Sequence, residues 1–342
     1  MNHRMSTSEG GGTGGGPPAG PGQGRAGLGG GVLAGTAMVL AYNVLSATKE
    51  VVSGHLIQTL SPFALACVAF ALVAAVFHVA ARARGRAAYR APFAARPDLL
   101  WLNLMTLGAW LGFFYSVRYL EPAIVSAVMV GFGPAVMVAV SPLWYRKARI
   151  GAGETAASFG ILLATLYLIL VSSSGMSAMG ELTGEALAKG GLSAAVGSVA
   201  MVGATVFSKR VSDAGSSPAA IMAHRFYALI PASLALALLD GGFDERLVES
   251  WPVVVGITVA GVLVPLWSLQ NGIRRLPPSR VVIIISTAPA FTYVIQYLDP
   301  RLAQSVEVLP GILAICALAA LSGLKGAAPR PAGAGDRGGR PA

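Results

Sequence analysis

Helix-length apolar runs constrain this chain more than any other feature. They recur near residues 32–53, 62–81, 98–118, 122–144, 153–172, 190–208, 218–239, 251–272, 278–298 and 307–323. At about 1.5 Å of rise per residue, each is long enough to cross about 30 Å of hydrocarbon. Backbone polar groups in lipid must be satisfied within the segment, so the expected architecture is an all-α polytopic membrane protein with ten transmembrane helices. The sixth run is rich in Gly, Ala and Ser and the tenth is short and contains Pro310, which leaves re-entry as the alternative for these two. Composition agrees, with 54% hydrophobic and 12% charged residues against roughly 25% charged in a soluble domain.

A formal charge of +10 would point to nucleic acid in a soluble chain. No basic segment with interleaved aromatics is present, so nucleic acid is excluded as a partner. The basic residues instead follow topology. With the N-terminus inside, cytoplasmic segments hold 19 of the 25 Lys and Arg residues. Five outer loops hold one each, Lys49, Arg118, Lys189, Arg246 and Arg301, and Arg225 lies within a run. Cytoplasmic loops collect Lys and Arg, so both termini are expected on the cytoplasmic side of the cell membrane. Residues 1–31 and 324–342 are dominated by residues that cannot bury enough apolar area to fold, and are expected to be disordered cytoplasmic tails. The first apolar run starts too far from the N-terminus for a cleaved signal, so it is expected to be retained.

Two of the runs are alike. RYLEPAIVSAVMVGFGPAVMV carries Pro122 and Pro134, and RRLPPSRVVIIISTAPAFTYV carries Pro277 and Pro289, an offset of 155 in both pairs. Pro62 and Pro218 repeat at 156, and Gly160 and Gly311 at 151. The chain thus reads as two five-helix halves, residues 32–172 and 190–323, joined by an extracytoplasmic loop at 173–189. An odd number of spans per half inverts the second half in the membrane, a plan that places a binding site near the midplane. The interior prolines remove donors, exposing backbone acceptors near Val130 and Ile285. In lipid that is tolerable only beside a protein-lined cavity.

LPPSRVVIIISTAPAFTYVI at 276–295 resembles the penultimate helix of EamA-like members of the drug/metabolite transporter superfamily, and YLEPAIVSAVMVGFGPAVMV at 119–138 resembles its counterpart in the first repeat. The resemblance covers about residues 32–323 and implies two five-helix repeats that carry small metabolites, without naming one. The family's Arg seven residues after the proline that opens the second helix of a repeat is matched by Arg225, whereas Ala69 stands there in the first half. The Gly-Glu preceding the last helix of each repeat is replaced by Arg146–Arg149 and by Asp299–Pro300.

Several polar residues inside the runs are candidates for a substrate cavity. Asn43, Ser46 and Glu50 share one face of the first helix, beside Tyr42 and Lys49. Lys49 and Glu50 lie near the outer end, where solvation is the simpler reading. Asn103, Trp110 and Tyr115 on the third helix and Trp267, Gln270 and Asn271 on the eighth complete a set of amides and aromatics. Trp110 and Trp267 lie deeper than an interfacial anchor. Ser286, Pro289, Tyr293 and Gln296 form a stripe on the ninth helix that either bonds neighbouring helices or lines the cavity. Arg225 either snorkels to the cytoplasmic interface or faces the cavity to meet a carboxylate or anionic substrate. Neighbouring His224 reads as a packing residue. Small residues at Ala123, Ala127, Gly131, Ala135 and Ala139 form a ladder around Pro134 that is either a packing seam or a sliding face.

These features point to a secondary transporter, with export as the expected direction. No GxxxxGK[ST] motif is present for ATP. The alternative is a membrane-embedded enzyme acting on a lipid or isoprenoid, but its clustered acids, metal ligands or nucleophile–base pair are missing. A scaffold or sensor would append a soluble domain. No cofactor or metal is expected, because His3, His55, His78 and His224 are never paired at helical spacing and Cys67 and Cys316 sit singly in apolar runs. The partners expected are a small-molecule substrate, the lipid bilayer and, as an option, a second copy of the chain in a homodimer.

Overall fold

The computed structural model describes residues 23–57, 59–120, 122–144, 150–176, 183–298 and 305–325. Both chain ends beyond these bounds, the basic Arg146–Arg149 group, Asp299–Pro300 and Arg301 lie outside the described residues. Among the described residues all regular structure is helical. Eight helical stretches are long and apolar enough to cross a membrane, and Ile124–Val140 and Val306–Leu321 are shorter apolar helices. Gly184–Asp213, the weak sixth run, is one of the eight at 30 residues.

Helix α1 (Gln23–Leu56) starts ahead of its apolar run, inside the segment expected to be a disordered tail. Once a helix is nucleated, each added residue gains a bond, so it propagates into flanking sequence. Next come α2 (Pro62–Arg82), the short α3 (Arg86–Arg90), a 3-10 turn and α4 (Arg96–Val117). Ser61 caps α2 by accepting from the Ala64 N–H, and Ser217 caps α9 (Pro218–His224) in the same way through Ala220. Each cap is followed by a proline at the first helical position, where its missing donor costs nothing.

The fourth run is two helices, α5 (Pro122–Gly131) and α6 (Gly133–Trp144), separated at Phe132. Pro134 stands in the first turn of α6, so the break falls just before it and leaves neither piece long enough to cross alone. After α7 (Ala152–Ser173), α8 (Gly184–Asp213) and α9, the seventh run is interrupted over 225–228 before α10 (Leu229–Leu239). Past α11 (Glu245–Glu249), the eighth run joins α12 (Trp251–Gly256), a π-helical stretch (Ile257–Leu263) and α13 (Val264–Arg275). The ninth divides into α14 (Pro278–Ile285) and α15 (Ala288–Gln296), and α16 (Leu309–Lys325) ends the described chain.

Packing is reciprocal. Helix α4 lies along α8 and α1 along α13, while α2 meets α9 and α10, and α7 meets α16. Glycines bring both long pairs into close approach. A Cβ on Gly112 would sit 2.9 Å from the Gly197 Cα, and one on Gly272 would sit 3.2 Å from the Gly35 carbonyl oxygen. The small-residue ladder is a packing seam in its middle part. Ala127 is buried against Ile161 and Leu168 of α7, and Gly131 faces Thr165 of the same helix.

Contacts between helix ends fall into separate groups. At one end Arg210 pairs with Asp98 at 2.8 Å and donates to the Trp144 carbonyl, and Lys209 Nζ donates to the Arg274 carbonyl. At the other, Gly242 lies against Ser61, and the Tyr167 hydroxyl donates to the Glu307 carbonyl at 2.9 Å.

Candidate functional site

A cavity lies between α1, α4 and α5 on one side and α8, the 225–228 break, α13, α14 and α15 on the other. Its charged and polar wall is made by Tyr42, Ser46, Lys49, Glu50, Ser126, Thr205 and Arg225. Trp110, Phe113, Met129, Leu266 and Ile273 supply the apolar part. Val130 and Ile285, the residues where the sequence places orphaned carbonyls, both line it.

Lys49 and Glu50 are 5% and 8% exposed, which rules out the solvated reading. Helix α1 continues past them to Leu56, and Leu56, Ile57 and Leu60 further along the chain are buried too. The Lys49 Nζ stands 4.1 Å from the Phe113 ring centroid and 4.8 Å from that of Trp110, a cation–π arrangement. Glu50 Oε2 accepts from the Thr292 hydroxyl at 2.8 Å. Gly261, in the π-helical stretch, allows this approach, since a Cβ there would lie 2.7 Å from the Lys49 Cβ.

Arg225 is 5% exposed and does not snorkel. Its Nε and Nη2 donate to the Thr106 hydroxyl at 3.3 and 3.2 Å, Nη1 to the Met222 sulfur at 3.6 Å, and the guanidinium lies 5.7 Å from the Phe226 ring centroid. The helix break beneath it is held by Asn103. That side chain donates to the Leu99 and His224 carbonyls, both at 2.9 Å, and accepts from the Tyr227 N–H at 2.8 Å and the Ala228 N–H at 3.4 Å. From the sequence the seventh run reads as one helix. The available signal is Pro231, which cannot donate to the Tyr227 carbonyl and so weakens the helix at that turn.

Of the sequence candidates, Glu50, Trp110 and Arg225 line the cavity. Asn43 is buried behind it, its Nδ2 donating to the Ile284 carbonyl at 2.8 Å and the Thr287 hydroxyl at 3.0 Å in the gap between α14 and α15. Gln270 is fully buried and accepts from the Ser208 hydroxyl at 2.6 Å, tying α13 to α8. The ninth-run stripe is buried outside the cavity lining. Ser286 donates to the Ile283 carbonyl at 2.6 Å and Tyr293 to the Ser305 carbonyl at 2.9 Å, with Pro289 and Gln296 buried beside them. Tyr115 accepts from the Tyr119 hydroxyl at 3.3 Å, away from the cavity. Trp267 is 45% exposed on the outer face, and Asn271 donates to the Trp267 carbonyl at 2.9 Å, one turn back on its own helix. Depth along a helix does not say which way a residue faces. Tyr42, Ser46 and Lys49 are cavity residues adjoining a sequence candidate, whereas Ser126 and Thr205 carry no distinguishing signal.

Residues 188–324 match the model of the EamA-like transporter family. No curated protein matches the chain in sequence. A protein known from its crystal structure shares the fold with a TM-score of 0.66 at 20% identity, over 87% of this chain and 97% of that one.

Proposed function

We propose that this chain, whose residues 188–324 carry the signature of the EamA-like transporter family, is a secondary transporter that exports a small organic solute across the cytoplasmic membrane. The observation that carries the reading is the cavity, walled by both halves of the chain and holding Lys49, Glu50 and Arg225 away from solvent. Intramembrane ionisable residues are costly and mark solute or ion pathways. The wall is made at breaks in helices, where free backbone groups also collect in transporters.

Ten crossings, in two inverted halves, supply the movement in this reading. Reciprocal packing of α1 on α13 and α8 on α4 supports it, because a two-fold axis in the membrane plane exchanges these pairs. So do the matching Ser–Pro caps of α2 and α9. Exchange of the halves' conformations would then expose the cavity alternately to each side.

The test uses purified protein in vesicles loaded with a metabolite extract, and compares solutes released with those released from protein-free vesicles. Saturable, gradient-sensitive release of particular solutes is expected. Turnover of labelled lipid without solute flux would replace the transporter reading with the enzyme one.

A further inference from the structure

We infer that the cavity selects organic monoanions with an apolar, ring-sized body, bound by Arg225 in an enclosure that Lys49 makes net positive. This rests on the transport reading for its purpose but not for its geometry.

Besides the neutral phenol of Tyr42, three side chains of the charged residue types line the cavity, two basic and one acidic. The ion pairs among the described residues involve Lys189, Lys209 and Arg210 and neither of these two cations. A guanidinium offers five N–H donors and no acceptor. Arg225 donates to one hydroxyl and one thioether, both neutral and the second a weak acceptor. Lys49 has two aromatic rings close to its ammonium. Ring faces replace only part of the hydration an ammonium loses on burial. The single acid, Glu50, already accepts a hydroxyl from Thr292. With all three groups charged, one positive charge is uncompensated in a largely apolar enclosure. A carboxylate offsets that surplus, by charge-assisted bonds to the free guanidinium donors of Arg225. A cationic solute meets like charge, and a neutral one leaves the surplus standing. Beyond the charged groups, Leu266, Leu269, Ile273 and Trp110 give the lining apolar surface, which suits an apolar body better than a polyol.

The experiment uses three probes that share a phenyl ring and differ in charge: phenylpyruvate, phenylalanine and 2-phenylethylamine. Binding to the purified full chain is read by quenching of tryptophan fluorescence, Trp110 being in the wall, and flux is read in vesicles. Phenylpyruvate should bind about tenfold or more tightly than the amine, the weight of one charge-assisted bond. Arg225→Gln should remove that preference, and Arg225→Lys should keep part of it. Lys49→Met, measured alongside in case Arg225→Gln fails to fold, should weaken phenylpyruvate and leave the amine unchanged or better bound. Equal binding of the three probes, binding of none, or an undiminished preference in Arg225→Gln or in Lys49→Met overturns the inference. Selective phenylpyruvate binding without flux of any probe sustains it and counts against transport. Flux of the amine in preference to the anion overturns it and leaves transport standing.

Discussion

Asn43 on α1 donates its side-chain amide to the carbonyl of Ile284 at 2.8 Å, across 241 residues of sequence. The bond fills the gap that Pro289 opens between α14 and α15. The same amide reaches the Thr287 hydroxyl, which itself donates to the Ile284 carbonyl at 2.8 Å. Removing the amide leaves that carbonyl with the Thr287 hydroxyl and a 3.1 Å bond from the Thr287 N–H. Asn43→Leu should therefore cost about 1–3 kcal/mol, the range for a buried polar group losing a partner. A lowered melting temperature in detergent, with reduced flux in vesicles, is the expected result. An unchanged melting temperature would mean that the break is held without Asn43.

Asn103 does comparable work for the break at 225–228, but with both ends of its amide. The carbonyl oxygen takes the Tyr227 and Ala228 N–H groups while the nitrogen serves His224 and Leu99. Asn103→Asp keeps the acceptor and loses the donor, and places a negative charge where two carbonyl oxygens converge. It should be worse than Asn103→Ala, which itself should cost about 2 kcal/mol. Comparing the melting temperatures of the two variants checks the order. Because the break seats Arg225, flux should fall with both.

Gly131 leaves no room for a side chain. A Cβ there would fall on the Thr165 Oγ1 and lie 2.9 Å from both its Cβ and Cγ2. Gly131→Ala should destabilise by about 1–3 kcal/mol through overpacking of α5 on α7. Combining it with Thr165→Ala removes two of the three clashing atoms and should recover part of the loss. An additive double variant, measured by thermal unfolding, would show that the two residues do not oppose each other.

Positions of helices were the legible part of this chain, and for a physical reason. Run length and proline placement act on the backbone, which sequence encodes locally, so the divided fourth and ninth runs follow from Pro134 and Pro289. The direction of a side chain depends on which helix lies beside it. Trp267 and Trp110 look alike in sequence, yet only Trp110 has α2 and α1 against it, its ring centroid 4.6 Å from that of Phe70. Lys49 and Glu50 illustrate the same limit, because nothing local reports that Trp110 and Phe113 lie against Lys49 or that Thr292 bonds Glu50. Arg225 was legible since a charge inside an apolar run has few acceptable surroundings.

Lys49 reaches the cavity across Gly261, where the π-helical stretch precedes Pro265. The clashing atom for any added side chain is the Lys49 Cβ rather than the mobile end of the chain. Gly261→Ala must therefore move α1 itself, at about 1–3 kcal/mol. Flux should fall about tenfold if that shift displaces Lys49 from its place in the cavity wall. Membrane insertion should be unaffected, since the apolar length of the segment does not change. Normal flux in this variant would show that the position of Lys49 is not critical.

The two groups of helix ends differ in charge, which gives an expected direction for the molecule. Arg82, Arg84, Arg86, Arg90, Arg96, Lys209, Arg210, Arg274, Arg275 and Arg280 outnumber Asp98, Glu154 and Asp213 at one end, whereas Glu185, Asp240, Asp244, Glu245, Glu249 and Glu307 outnumber Arg118, Lys189 and Arg246 at the other. Positive charge is retained on the cytoplasmic side during insertion, so the end bearing Arg84 should face inward. A background of Cys67→Ala with Cys316→Ala removes the native thiols, one buried and one half-buried. On it, Arg84→Cys should react with a membrane-impermeant maleimide only after cells are opened, and Glu249→Cys in intact cells; both sites are exposed. The opposite labelling pattern would reverse the molecule in the membrane and, with it, the expected direction of export.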